Sequence, residues 1–151
     1  MKIINLFNVR KILSFFGKQN GSPYYNAKGI AVGVFSGCFP FFGFQTLIGI
    51  FLAKLIKGNL LLATACTWIS NPFTYIPLYI FNYKVGTLFI QSSSLSDINY
   101  ELINNQIWQR GWIFSSRLLL GSFFVGSSLA IISGFIGYFM YKYFFEKGNK
   151  N

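Results

Sequence analysis

The stretch GIAVGVFSGCFPFFGFQTLIGIFLA, residues 29–53, runs for 25 residues without a charge, and Pro40 divides it near its middle. About 20 apolar residues are enough for a helix to cross a bilayer. Proline, however, lacks a backbone donor and disfavours helical dihedrals in the residue before it. At a rise of 1.5 Å per residue each half reaches only about 16–20 Å, roughly half a bilayer. The first half carries Gly29, Gly33 and Gly37 at four-residue spacing, on one helix face where a second backbone can approach closely. Ala27 and Ala31 place two more small side chains nearby.

Outward from this run the same construction recurs. Residues 58–83 form 26 uncharged positions, interrupted at Ser70-Asn71-Pro72 and again at Pro77. Asn59 stands where a helix cap is needed. Backbone groups freed by such breaks survive at membrane depth only where protein or a wet cavity satisfies them. A third run, residues 118–141, holds 24 uncharged residues and no proline. It reads as one continuous span of about 113–141, with Ser122, Gly126, Ala130 and Gly134 as a second close-packing stripe.

The whole chain supports this class. Of 151 residues, 53% are apolar and only 11% charged, against about 25% charged in an ordinary soluble domain. The expectation is an all-α integral membrane protein with two proline-broken hydrophobic helical hairpins, a final transmembrane helix and interfacial amphipathic helices. Residues 1–21 would be a basic N-terminal interfacial segment and residues 22–151 a single membrane domain. In the former, Leu6, Val9, Ile12, Leu13 and Phe16 form a stripe opposite Arg10, Lys11, Ser14 and Lys18. The alternative for it is a helix packed over the protein's own core. Ser94 and Asp97 have capping-box spacing ahead of a second short interfacial helix containing Leu95, Ile98, Leu102, Ile107 and Trp108.

Two topologies compete. Hairpins would hold all eight basic residues from Lys2 to Lys84 on one side, as the positive-inside tendency favours. Full crossings would put Lys54 and Lys57 opposite the N-terminus and return Lys84 to its side. A basic tail of Lys142, Lys147 and Lys150 counts against the hairpins, because one final span would carry it across. The basic N-terminal side is assigned to the cytoplasm.

Function is narrowed chiefly by exclusion. The sequence contains no histidine, and its acidic residues, Asp97, Glu101 and Glu146, lie outside the long apolar runs. Histidine-based catalysis and a carboxylate proton relay at membrane depth therefore have no candidates. No metal set, cofactor fingerprint or phosphate-binding loop is present, and Cys38 and Cys66 read as buried small hydrophobes. The net charge of +10 is assigned to anionic headgroups rather than nucleic acid, because the basic residues flank membrane runs.

Around the breaks lies a constellation of Gln45, Thr46, Thr67, Trp68, Ser70, Asn71 and Thr74. Either these groups satisfy one another and the broken backbone, or some face a polar cavity and contact a headgroup. Arg110 and Arg117 bracket the entry to the final helix, as a phosphate clamp or as snorkelling cations. Tyr75, Tyr79 and Tyr83 share a helical spacing suited to a lateral groove or an aromatic belt.

The series Ser22-Pro23, Ala27, Gly29, Ala31, Gly33, Phe35, Gly37, Pro40, Gly43 and Gln45-Thr46 resembles the opening of a bacterial membrane family, the domain of unknown function two-zero-six-two. The resemblance continues through Ala53, Asn59, Ala63, Thr67-Trp68, Ser70-Asn71-Pro72, Thr74, Pro77, Tyr79 and Gly86, with Thr67–Thr74 its most specific block. It implies a small bacterial or cyanobacterial inner-membrane protein without an established activity. Members resemble the membrane tails of some family-two glycosyltransferases. Since this sequence contains no glycosyltransferase domain, the implication extends only to an association with lipid-linked sugar metabolism. The function expected is a noncatalytic module binding or moving an anionic amphiphile such as a polyprenyl-phosphate-linked lipid. The alternatives are a structural or assembly partner of another membrane protein or of a second copy, and an intramembrane lipid-modifying enzyme.

Overall fold

A computed structural model describes the backbone of residues 21–90 and 103–148, and the side chains of residues 21–90 and 110–143. The expected N-terminal helix and the Ser94/Asp97 capping box lie outside these residues. Within them the fold is entirely helical, without strands.

Helix α1 spans Pro23–Gly37, with Ser22 capping it by accepting from the Tyr25 amide at 3.2 Å and proline at its first position. Proline is tolerated there because that amide would have no partner in any case. After the break at Pro40, Gly43 adopts φ +80°, and α2 spans Phe44–Leu55. A turn through Lys57, at φ 52°, leads to α3, Leu60–Cys66, followed by a 3-10 turn at Thr67–Ile69. Asn59 caps α3 as expected, its Oδ1 accepting from the amides of Leu61 (3.0 Å) and Leu62 (3.1 Å). After the second break, α4 spans Tyr75–Thr87, and α5 runs from Ile103 to Gly148.

Two expected helix boundaries need correction. Pro77 does not break a helix: it lies in the first turn of α4, where amides have no intrahelical acceptor to lose. Ile107 and Trp108 belong not to a separate short helix but to α5, since no breaker stronger than Gly111 interrupts the sequence from Ile103 onward.

Helix α1 is the hub. A Cβ at Gly29 would meet the Asn59 backbone, one at Gly33 would meet Ala63 and Cys66, and one at Gly37 would meet Thr67 and Ile69. Helix α3 therefore runs parallel to α1 along the glycine face. Helix α2 returns antiparallel: Gly49 stands against Ser36, and Lys28 Nζ donates to the Ile56 carbonyl at 2.9 Å. On its other side α1 meets α5 antiparallel, with Gly126 against Phe35 and Cys38, Gly134 against Ala31, and Gly137 against Ile30. Helix α4 also runs antiparallel to α5, further toward its N-terminal end. There a Cβ on Gly86 would strike the Arg117 carbonyl, and one on Gly121 the Asn82 carbonyl.

These registers give the two breaks different roles. The chain reverses at Pro40. At Pro72 it does not: α3 and α4 point the same way along α5, so the second run is a broken rod rather than the expected hairpin. The reversal coincides with the left-handed Gly43, and no residue of the second break has a positive φ.

The molecule is partitioned inside out. Among the described residues nine hydrophobic side chains are buried, alongside eight polar ones, while thirty large apolar or aromatic side chains are exposed. The small core of Ile30, Val34, Leu62 and Tyr141 is accompanied by Asn26, Ser36, Asn59, Asn82 and Ser122. Among the described residues one helical stretch, Arg110–Tyr143, is long and apolar enough to cross a membrane.

Candidate functional site

The break residues find their partners within the fold. Ser70 Oγ donates to Gln45 Oε1 at 3.0 Å, and the Thr46 and Thr67 hydroxyls share a hydrogen bond of 3.2 Å. Thr67 Oγ1 also reaches the Thr64 carbonyl at 2.7 Å. These contacts clasp the start of α2 to the two ends of the 3-10 turn. In the second break, Asn71 Oδ1 accepts from the amides of Phe73 (2.9 Å) and Thr74 (3.1 Å), while Thr74 Oγ1 donates to the Ile69 carbonyl at 2.6 Å. Asparagine here replaces the backbone acceptors that Pro72 disrupts. Of the two sequence readings, mutual satisfaction describes the observed bonds. Trp68 stands apart, 70% exposed on the outer surface.

Polar side chains of α4 complete the first break. Tyr79 Oη donates to the Phe39 carbonyl at 3.1 Å, and Asn82 Nδ2 donates to the Cys38 carbonyl at 2.9 Å and to Ser122 Oγ at 3.0 Å. Asn82 is fully buried, and its Oδ1 has no hydrogen-bond partner. A second buried pair, Asn59 Nδ2 to Asn26 Oδ1 at 2.7 Å, joins the starts of α3 and α1. Asn26 and Asn82 were not singled out from sequence. The available signal was the cost of an amide among apolar neighbours, which requires a nearby partner.

Beside the first break, α4 and α5 border a groove of about 580 Å³. Tyr75, Tyr79 and Tyr83 form one side with Ile76 and Ile80, Phe114 and Leu118 face them from α5, and Pro40 and Phe42 bound it at the break. The tyrosine series thus lines a lateral groove, one of its two sequence readings. Lys84 lies on the groove and is exposed. Arg117 stands behind Tyr83: its Nη1 donates to Tyr83 Oη at 3.0 Å and its Nε to the Ile90 carbonyl at 3.1 Å. A guanidinium has five donors, so these bonds leave it able to make more. Arg110, two turns earlier on α5, is exposed and is not part of this cluster.

The groove is chemically simple. Its lining is aromatic and aliphatic, with a cation at one end. The described residues include no group of histidine, cysteine and carboxylate side chains that could hold a metal, and both cysteines are free, Cys38 being buried. Inside the fold Gly29, Gly33 and Gly37 are covered by α3, Ser122 is bonded to α4, and Gly126 faces α1.

No curated protein and no solved structure matches the chain. A family model does match it over residues 8–150, nearly from end to end. The chain therefore belongs to the family described as "uncharacterized protein conserved in bacteria", DUF2062.

Proposed function

We propose that this is a bacterial inner-membrane protein that binds or moves an anionic amphiphile, without catalysis, and that the tyrosine-lined groove between α4 and α5 receives it. The observation carrying the reading is a lateral apolar groove of about 580 Å³ with Lys84 on its wall and Arg117 bonded to its Tyr83. That volume lies within the range of small-molecule sites, about 300–1,000 Å³. Lysine and arginine donors suit a phosphate, and the aromatic lining suits a hydrocarbon chain.

The inverted partition supports the membrane reading, since soluble monomers rarely expose apolar patches above a few hundred Å². The 24 uncharged residues between Arg117 and Lys142 would span about 36 Å as a helix, enough for a hydrocarbon core of about 30 Å. In this arrangement α1 and α2 form a re-entrant hairpin, α3 and α4 together cross the membrane, and α5 returns. Lys28, Lys54, Lys57 and Lys142 then share the side on which α1 begins, and Lys84, Arg110 and Arg117 share the other. The C-terminal tail comes back to the N-terminal side, which removes the objection raised by its charge, and the positive-inside tendency places that side in the cytoplasm. A membrane-protein partner or second copy would have to use other surfaces than the occupied glycine stripes.

The test is native mass spectrometry of the full chain titrated with a long-chain polyprenyl phosphate and with the matching uncharged polyprenol. The phosphate is expected to bind preferentially, about tenfold more weakly to Lys84→Gln, given the worth of a hydrogen bond to a charged group. Ile80→Trp, which fills the groove, should abolish binding. Equal retention of phosphate and alcohol, or wild-type binding by both folded variants, would overturn the assignment.

A further inference from the structure

A second groove lies at the opposite end of the fold, between α1 and α5, and encloses about 500 Å³. Ala27, Ala31, Ala130 and Gly134 leave room along its floor, and Tyr24, Ile131, Phe135 and Tyr138 raise its walls. Its lining contains one charge, Lys28. The Lys28 ammonium is held in place: it donates to the Ile56 carbonyl at 2.9 Å and sits 4.4 Å from the centroid of the Tyr24 ring. An ammonium has three donors, and the Ile56 carbonyl takes one of them.

The position of this groove along α5 gives it meaning. Its α5 residues, 130–138, lie beyond Gly126, the level at which α1 ends against α5. The tyrosine groove uses Phe114 and Leu118, on the other side of that level. In the proposed membrane arrangement each groove therefore belongs to a different half of the bilayer. Each combines tyrosine rings and a hydrocarbon-lined trough with a single lysine. A fixed cation beside an apolar trough is complementary to a lipid that presents an anionic phosphate above a hydrocarbon chain.

We infer that the α1/α5 groove is a binding site for an anionic phospholipid of the cytoplasmic leaflet, with the phosphate at Lys28 and one acyl chain along Ala27, Ala31, Ala130 and Gly134. This inference rests on the membrane reading above but on different residues from the tyrosine groove. It makes the protein a carrier of two lipid sites, one per leaflet, and gives the N-terminal half of α1 a role besides packing.

The experiment is a native mass-spectrometric titration of the full chain with phosphatidylglycerol and, separately, with phosphatidylcholine of the same acyl chains. The proteins compared are wild type, Lys28→Gln, Ala130→Leu and the tyrosine-groove variant Ile80→Trp, each checked by thermal melting against wild type. Wild type is expected to retain phosphatidylglycerol over phosphatidylcholine. Lys28→Gln should weaken one binding step about tenfold, Ala130→Leu should remove that step by filling the trough, and Ile80→Trp should leave it intact. If phosphatidylglycerol binding is lost only in Ile80→Trp, the inference falls while the proposed function stands. If the Lys28 and Ala130 variants lose a lipid but no polyprenyl phosphate binds to the tyrosine groove, the inference holds and the earlier assignment falls. Equal binding of both lipids by wild type overturns the inference, since Lys28 would then select nothing.

Discussion

Replacing Asn59 with alanine removes three bonds made by one side chain. Two cap α3, at 3.0 and 3.1 Å, and the third reaches the buried Asn26 amide at 2.7 Å. Loss of a helix cap costs about 1 kcal/mol, and loss of one partner in a buried polar pair costs about 1–3 kcal/mol. The sum is about 2–4 kcal/mol, so a chain of this length should lose about 4–16 °C in Tm at about 2–4 °C per kcal/mol. Asn59→Ser separates the terms, because serine caps helices nearly as well as asparagine yet is too short to bridge to Asn26. It should recover about 1 kcal/mol. The assay is thermal unfolding in a fixed mild detergent, followed by circular dichroism. A Tm for Asn59→Ala within about 2 °C of wild type, less than 1 kcal/mol, would refute the reasoning, as would a serine variant no better than alanine.

The contact between α4 and α5 predicts that Gly121→Ala, whose new Cβ would strike the Asn82 carbonyl, destabilises by about 1–3 kcal/mol. Gly111→Ala, where a Cβ meets nothing within 4 Å, should be neutral or stabilising in the same melts; equal losses would contradict the packing. Asn71→Ala should cost about 1 kcal/mol through the lost amide acceptor, and Asn71→Ser should restore most of it; a neutral alanine variant would show that the bonds at the second break carry no stability. In a Trp108→Phe/Trp112→Phe protein, the 70% exposed Trp68 should be quenched by brominated acyl chains and little by aqueous iodide. The reverse pattern would place this surface in water.

Several parts of the fold were readable directly from residue types. The Pro40 and Pro72 breaks, the Asn59 cap and the close-packing use of Gly29, Gly33 and Gly37 each follow from local backbone chemistry. The direction of the chain after each break does not. Proline announces an interruption in both places, but the reversal accompanies the positive φ of Gly43, a residue whose freedom permits a turn without requiring one. At Asn71 the side chain caps its own turn and the chain continues onward. The candidate site was legible only in outline. The tyrosine spacing was visible, whereas Lys28 and Lys84 served as topology markers because their placement beside grooves depends on how α1 and α4 meet α5. The roles of Asn26 and Asn82 depend on the same contacts between segments distant in sequence.

The completion of the first break by α4 has a consequence for how the protein is made. The carbonyls of Cys38 and Phe39, released by the turn at Pro40, accept hydrogen bonds from Asn82 and Tyr79, forty or more residues later. In the proposed membrane arrangement, a nascent chain carrying only the first hairpin would present these oxygens to hydrocarbon, where an unpaired backbone group costs several kcal/mol. The hairpin is thus expected to wait, at the interface or in the company of the insertion machinery, until α4 has emerged. Its burial would then be a late event in biogenesis, coupled to the arrival of α5, whose Ser122 accepts the other bond from the same asparagine.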